Sequence, residues 1–248
     1  MSKFAVAGAT GRLGRHVVDV LTKRGQHVVP MSRTTGVDIV TGEGLVEALA
    51  GVEVIIDVAS WHGSEQEAAT EFFRASARNL HEAGRQAGVA RIAAVSIIGA
   101  DKATAGFIAA KKVHEELLLA GPLPVRILRA AQFHEFVGQL LDWQRSDVVH
   151  LPALPTQLVA CRTVAEELVD LALDRDAQGS PIPEIAGPRK EIMSDAARLL
   201  AARRGIEVVG IDGSGMPDAE IAAAGGFLPS PHAKLAGPTF SDWLDAQS

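Results

Sequence analysis

The stretch that decides the fold lies near the N-terminus, where residues 4–18 read FAVAGATGRLGRHVV. Its first four residues form a short apolar run that is typical of a buried strand. Apolar side chains then recur at helical spacing from Leu13 to Leu21, and Gly25 follows as a stop signal. The pattern predicts a strand over 4–7, a glycine-rich turn and a helix over 11–24.

Three glycines, Gly8, Gly11 and Gly14, occupy the turn between this strand and this helix in a G-x-x-G-x-x-G spacing. A tight strand-to-helix turn favours residues without a β-carbon, and the free N–H groups of a helix start attract a pyrophosphate. A glycine motif is informative only in this strand–turn–helix context. The sequence therefore predicts a dinucleotide-binding loop.

Short apolar runs and amphipathic stretches keep alternating over the first 130 residues. The predicted strands cover 4–7, 27–31, 37–40, 52–58, 92–95 and 125–128, and the predicted helices cover 11–24, 44–50, 65–86 and 108–120. Strands that alternate with helices indicate βαβ units and a parallel sheet with right-handed crossovers. The fold class predicted is α/β: a Rossmann-like, doubly wound parallel sheet.

The last hundred residues are less regular. We expect a helix to about Leu173 from a capping box at Thr163 and Glu166, and a helix from Ser194 to about Arg203. Further predictions are strands over 181–186 and 207–211 and a terminal helix over 239–244. No linker interrupts the chain. We therefore expect residues 1–248 to form one NAD(P)-binding domain in which residues from about 150 to 248 contribute a small α/β substrate lobe.

Composition narrows the functional classes. The net charge is −6 over 248 residues, so binding of nucleic acid through bulk positive charge is not expected. The lone cysteine excludes an internal disulfide and a cysteine-based metal site, and we expect no metal. No signal peptide or membrane-spanning run is apparent, which makes a cytoplasmic location the expectation.

The run GATGRLGRHVVDVLTKRGQHV at 8–28 resembles the atypical short-chain dehydrogenases/reductases, in particular their NmrA-like NAD(P)-binding group. The resemblance continues in VIIDVAS at 54–60, VSIIGAD at 95–101 and RAAQFHEF at 129–136, and it weakens after about residue 190. It implies the same fold as the periodicity and a nicotinamide cofactor.

The end of the second strand favours NADP(H) over NAD(H), although NAD(H) stays open. Residues 26–37 contain no acidic side chain for a ribose hydroxyl, whereas Arg33 lies 19 residues after Gly14. A guanidinium there can pair with the 2′-phosphate of NADP(H). The resemblance also implies an adenine contact at Asp38, which could equally be a turn residue.

Catalysis is the open question, because the chain contains no tyrosine. The resemblance implies a Tyr-x-x-x-Lys pair, and here Phe107 occupies the tyrosine register before Lys111. Lys111 can still hold the nicotinamide ribose, with Ser96 upstream. His134, after the sixth strand, and His114, three residues past Lys111, are alternative proton carriers.

The predicted site residues fall into three groups. The catalytic candidates are Lys111, His134 and Ser96. The cofactor-binding candidates are Gly8, Thr10, Gly11, Arg12, Leu13, Gly14, Arg33, Asp38, Ala59, Ser60, Ser96, Lys111, Gln132 and Phe133. The substrate-pocket candidates are Trp61, His62, Phe107 and Phe227.

Two functions of different classes fit these residues. The favoured prediction is an NADP(H)-dependent oxidoreductase that acts on a small quinone or carbonyl acceptor. The alternative is a non-catalytic NADP(H)-binding redox sensor of the NmrA type. A sugar-nucleotide epimerase or dehydratase ranks last, since that chemistry depends on the tyrosine. We expect a small-molecule substrate, no nucleic acid and no membrane partner; a homodimer or a regulatory protein partner stays open.

Overall fold

The computed structural model of the protein describes residues 2–63, 65–144, 146–175 and 181–247. Its strands are β1 (Lys3–Ala7), β2 (His27–Met31), β3 (Val54–Asp57), β4 (Arg91–Ile97), β5 (Val125–Ala130), β6 (Val148–Pro152), β7 (Pro155–Thr156), β8 (Glu184–Ala186), β9 (Glu191–Ile192), β10 (Glu207–Ile211) and β11 (Lys234–Leu235). Its α-helices are α1 (Gly14–Lys23), α2 (Leu45–Ala48), α3 (Gln66–Ala87), α4 (Gly106–Ala120), α5 (His134–Gln144), α6 (Cys161–Leu173), α7 (Met193–Arg204), α8 (Ala219–Ala223) and α9 (Phe240–Asp245).

The main sheet has the strand order β11-β8-β5-β4-β3-β1-β2. Every pairing in it whose register is described is parallel; for example, Phe4 of β1 lies opposite Val28 of β2 and Val54 of β3. Because β2 and β3 flank β1 on opposite sides, the strand order reverses there, and such a reversal is where open α/β sheets bind ligands. This is the Rossmann-like α/β fold expected from the sequence.

The chain divides into two compact units. The first comprises Met1–Ser96, Ala105–Leu128 and Val164–Ile182, and the second comprises Ile97–Thr104, Arg129–Thr163 and Pro183–Ser248. The core of the first unit surrounds the apolar strands β1, β3 and β4 and the inner face of α3. The second unit has its own core, built from α5, β6, α7 and α9.

One predicted strand is absent. Residues 37–40 form a turn, because the Asp38 carboxylate accepts the N–H groups of Val40 (2.8 Å) and Thr41 (3.4 Å). A side chain that satisfies its own backbone in this way competes with strand pairing. The turn role of Asp38 is therefore what the structure shows.

Two predicted helix starts are wrong, at Thr163 and Ser194. Helix α6 begins two residues earlier, because the Glu135 carboxylate accepts the Cys161 N–H. Helix α7 begins directly after β9, with the Met193 N–H bound to the Leu154 carbonyl. Both starts depend on residues distant in sequence, and the whole of α5 lies where no helix was predicted.

Candidate functional site

The glycine loop joins β1 to α1 in the first unit. Gly8 has a φ of +78°, and a β-carbon there would lie 2.8 Å from the Cα of Ala59. A β-carbon at Gly14 would lie 2.0 Å from the Gly8 carbonyl oxygen. The loop therefore packs so closely on itself and on the segment after β3 that these two positions admit only glycine.

Helix α1 offers its first turn to an anion. No side chain caps its start at Leu13, and its first turn holds no acidic residue. Thr10 and Arg12 of the same loop are exposed, whereas Leu13 is buried beneath it. Uncapped N–H groups at the positive end of a helix dipole suit a pyrophosphate. The loop thus fits the phosphates of a dinucleotide.

The chain after β2 carries the residues predicted to choose between cofactors. Arg33 is exposed at the start of a short 3₁₀ turn, and it makes no ion pair with any described residue. The Ser32 and Thr34 hydroxyls lie 2.8 Å apart beside it. A guanidinium and hydroxyls at this strand end fit a ribose phosphate.

The segment after β3 contains four of the predicted residues. Ala59 lies against Gly8, and Ser60 is exposed, with its hydroxyl donating to the Trp61 carbonyl over 3.3 Å. Trp61 is half-buried against Phe72, and His62 is exposed. The structure therefore brings Ala59 to the glycine loop, and it leaves Ser60 and His62 open to solvent.

Lys111 lies on α4 with its charged group inside the protein. Its Nζ donates to the Val95 carbonyl and bonds His114 Nδ1, both over 2.9 Å, and it lies 4.7 Å from the centre of the Phe73 ring. His114 stacks on the same ring at 4.5 Å. A buried ammonium that bonds two partners is held in one direction, as a proton donor requires.

Asp57, at the end of β3, completes this cluster. Its Oδ2 lies 3.2 Å from His114 Nε2, and its Oδ1 accepts the Ala59 N–H over 3.0 Å. The exposed fractions are 1% for Asp57, 2% for His114 and 5% for Lys111. The sequence analysis missed Asp57. A carboxylate directly after the apolar run Val-Ile-Ile was the signal, because an ionised carboxylate is seldom fully buried without a partner.

The pKa values of the three groups reflect burial and mutual charge. Burial lowers the pKa of Lys111 to about 8, although Asp57 and Glu115 oppose the shift. Burial lowers the pKa of His114, and so does the charge of Lys111. Burial alone would raise the pKa of Asp57, but His114, Lys111 and the Ala59 N–H bring it below its ordinary value. A perturbed cluster of this kind marks a candidate functional site.

Two other predicted residues lie near this part of the fold. The Ser96 hydroxyl on β4 is buried and has no hydrogen-bond partner among the described residues. Phe107, on the same helix as Lys111, is half-buried with its ring centre 5.9 Å from that of Phe73. The aromatic position that precedes Lys111 by one helical turn therefore joins the apolar cluster that covers the lysine.

The remaining predicted residues belong to the second unit. Gln132 accepts the Thr156 hydroxyl over 2.8 Å, and Phe133 pairs with Val159 in an isolated bridge. A β-carbon on Gly99 would lie 2.7 Å from the Phe227 ring, so this ring covers that glycine. Each of the three is therefore held by its own unit.

His134 begins α5 and is fully buried between Phe240 and Trp243, with ring-centre distances of 5.4 and 5.3 Å. Neither ring nitrogen makes a well-formed hydrogen bond to a described residue. Burial lowers the pKa of His134, although Glu135 and the Leu158 backbone oppose the shift. These are the contacts of a core side chain, and the predicted catalytic role of His134 stays a prediction.

The described residues exclude some site types. They contain no group of three or more His, Cys, Asp or Glu side chains that could hold a metal. Cys161 is buried and not part of a disulfide. No described helix combines the length and the apolar character that crossing a bilayer requires.

The strand order and the glycine loop define a dinucleotide-binding protein of the Rossmann type, and the family follows from the sequence. The chain belongs to the NAD(P)H-binding family, whose model matches residues 8–136. That match covers the glycine loop, Lys111 and the start of α5. The expected membership among the atypical short-chain dehydrogenases/reductases is confirmed.

Other proteins resemble the chain at greater distance. It is 29% identical over 229 residues to the ceramide reductase of Caulobacter vibrioides (strain NA1000 / CB15N), a match that covers 79% of this chain and 72% of that protein. It superposes on MoeE5 in complex with UDP-glucuronic acid and NAD with a TM-score of 0.71, at 18% identity and 100% coverage of both chains. It also superposes on a dTDP-4-dehydrorhamnose reductase from Clostridium acetobutylicum (TM-score 0.69, 15% identity, 98% and 92% coverage). The last two likenesses establish the fold alone.

Proposed function

We propose that the protein is an NADP(H)-dependent oxidoreductase that reduces a small quinone or carbonyl acceptor, with Lys111 as the proton donor. The observation that carries the proposal is the buried Lys111 ammonium, joined through His114 and Asp57 to the segment that packs on the glycine loop. The name of the ceramide reductase, the relative in which 29% of residues are identical, supports a reductase.

The residues fit the cofactor, and each has a stated task. The glycine loop and the start of α1 bind the pyrophosphate, and Arg33 pairs with the 2′-phosphate. Bound NADPH supplies the hydride. Lys111 occupies the register in which the resembling reductases hold the nicotinamide ribose. Its Nζ donates one proton to the acceptor oxygen, so that a carbonyl becomes an alcohol, and solvent restores that proton.

The missing phenol bears on the choice of acceptor. With no tyrosine in the chain, the proton must come from another group. A quinone is the least demanding acceptor in this respect, because its reduced oxygens also take protons from water. We therefore expect quinones to be reduced faster than isolated ketones.

The test is oxidation of NADPH by the purified protein against quinones, small ketones and a ceramide-class lipid, with Lys111→Met beside it. Loss of a general acid lowers turnover by roughly 10²- to 10⁴-fold. Lys112→Met is the matched control: the neighbouring lysine is only half-buried, and we expect it to be dispensable. Equal rates for both variants would refute the role of Lys111.

The absence of tyrosine also favours a second function, that of a redox sensor. A sensor binds NADPH and NADP⁺ with different affinity and turns over no acceptor. Titration of the protein with each cofactor, combined with the acceptor panel, separates the two functions. Distinct affinities without any turnover would replace the proposed oxidoreductase by the sensor.

A further inference from the structure

A chain of polar contacts runs through the interior of the first unit. It begins where Ala59 packs against Gly8 and passes from the Ala59 N–H to Asp57 Oδ1 (3.0 Å). It continues from Asp57 Oδ2 to His114 Nε2 (3.2 Å) and from His114 Nδ1 to Lys111 Nζ (2.9 Å). Because Asp57, His114 and Lys111 are nearly fully buried, solvent screens these contacts little.

The hydrogen-bond chemistry assigns the tautomer of His114. An ammonium group has three donors and no acceptor, so a protonated Lys111 requires that His114 Nδ1 accept. The proton of the neutral ring then sits on Nε2, which faces the Asp57 carboxylate. The ring therefore points its acceptor at Lys111 and its donor at Asp57.

Charge limits how many protons the cluster can hold. A cation on Lys111 and another on His114 would lie 2.9 Å apart in a desolvated site. Asp57 offers one negative charge to this pair, and Glu115, also buried on α4, adds a second that favours the Lys111 ammonium. From β4 only the neutral Val95 carbonyl contacts Nζ, and α3 presents the apolar Phe73 ring.

We propose that Asp57 and His114 are positioning residues that hold Lys111 in its proton-donating form and direction, with Asp57 supplying the charge and His114 the acceptor. The use of this device in catalysis rests on the proposed function. The device itself is a property of the folded chain without substrate.

The test is an NMR titration of the lysine side-chain methylene carbons in the full chain, with Lys111→Met to assign the signal. We expect Lys111 to titrate near pH 8. Asp57→Asn should lower its midpoint by about one pH unit or more, as expected for the loss of an adjacent opposite charge. Glu115→Gln should lower it less, because Asp57 contributes the larger effect.

His114 is tested by a matched pair of variants. His114→Asn keeps an oxygen acceptor for Nζ, and His114→Leu has a similar size but no acceptor. We expect the Asn variant to keep a Lys111 midpoint close to that of the wild type and the Leu variant to lower it. Equal midpoints in the two variants would overturn the positioning role of His114.

Outcomes for the device and for the proposed function can be told apart. A wild-type Lys111 that titrates above pH 10, or equal midpoints in Asp57→Asn and Glu115→Gln, overturns the device, whatever the turnover. The expected midpoints without turnover of any acceptor support the device and refute the oxidoreductase. If Asp57→Asn does not fold, the wild-type titration and the His114 pair still decide. In an active enzyme, the limb of the kcat–pH profile should follow the Lys111 midpoint in each variant.

Discussion

The two units bury a histidine in opposite ways. His114 in the first unit and His134 in the second are 2% and 0% exposed. His114 has a lysine at one ring nitrogen and a carboxylate at the other, whereas His134 has only the rings of Phe240 and Trp243 around it. Burial therefore does not identify a proton-handling histidine. The partners of the two ring nitrogens do.

Replacing each histidine by phenylalanine is the strongest test of this contrast. His114→Phe leaves the Asp57 carboxylate buried without its partner, and breaking a buried ion pair costs about 3–5 kcal/mol of unfolding free energy. His134→Phe removes ring nitrogens that lack well-formed hydrogen bonds, so we expect a change below about 1 kcal/mol. Denaturant unfolding of both variants at neutral pH measures the difference. Equal losses would erase the contrast.

The pH dependence of stability sharpens it further. Burial lowers the pKa of Lys111 from 10.5 to about 8, so between these values the unfolded chain binds a proton that the folded chain does not. The unfolding free energy must then rise with pH across this window, by up to about 3 kcal/mol. Lys111→Met should lack this rise. Unfolding curves of both proteins from pH 7.5 to 10.5 provide the measurement, and parallel profiles would contradict it.

Arg33 tests whether the 2′-phosphate is read by the first unit. Arg33→Ala should weaken NADPH binding by about 1.5–3 kcal/mol, the range for hydrogen bonds to charged groups, and leave NADH binding unchanged. Arg189→Ala removes an exposed arginine of the second unit and serves as the control. Isothermal titrations with both cofactors give the comparison. Equal losses for NADPH and NADH would rule out the 2′-phosphate contact.

The smallest expected effect comes from returning a phenol to the first unit. Phe107→Tyr places a hydroxyl one helical turn before Lys111, which should raise ketone reduction several-fold while changing stability by less than about 1 kcal/mol. Phe136→Tyr makes the same change at a half-buried ring of the second unit and should leave the rate unchanged. Steady-state rates with one ketone decide. An unchanged rate in Phe107→Tyr would show that the missing tyrosine does not limit ketone reduction.

Local pattern was enough to predict most of the first unit. The strand over 27–31 is confirmed to the residue, and β1, β3, α3 and β5 lie within two residues of their predicted ends. Apolar runs and helical periodicity are local signals, so they identify elements well. The starts of α6 and α7 were wrong because the Glu135 carboxylate and the Leu154 carbonyl, both distant in sequence, bind the first N–H groups.

The candidate site was predictable only in part. The glycine loop is contiguous, so spacing alone indicated it, and the i, i+3 spacing put His114 beside Lys111. Asp57 lies on another element, 54 residues before Lys111, and only the strand order brings the two together. His134 attracted attention as a titratable residue at a strand end. The rings that enclose it come from α9, more than one hundred residues later.

The tryptophans give the two units separate optical signatures. With no tyrosine in the chain, its intrinsic fluorescence comes from Trp61, Trp143 and Trp243. Trp61 is half-buried in the first unit, and the other two belong to the second, where Trp143 is 61% exposed. A variant with phenylalanine at positions 143 and 243 would therefore emit only from the unit that carries the glycine loop. Its emission would report cofactor arrival and local melting of that unit alone.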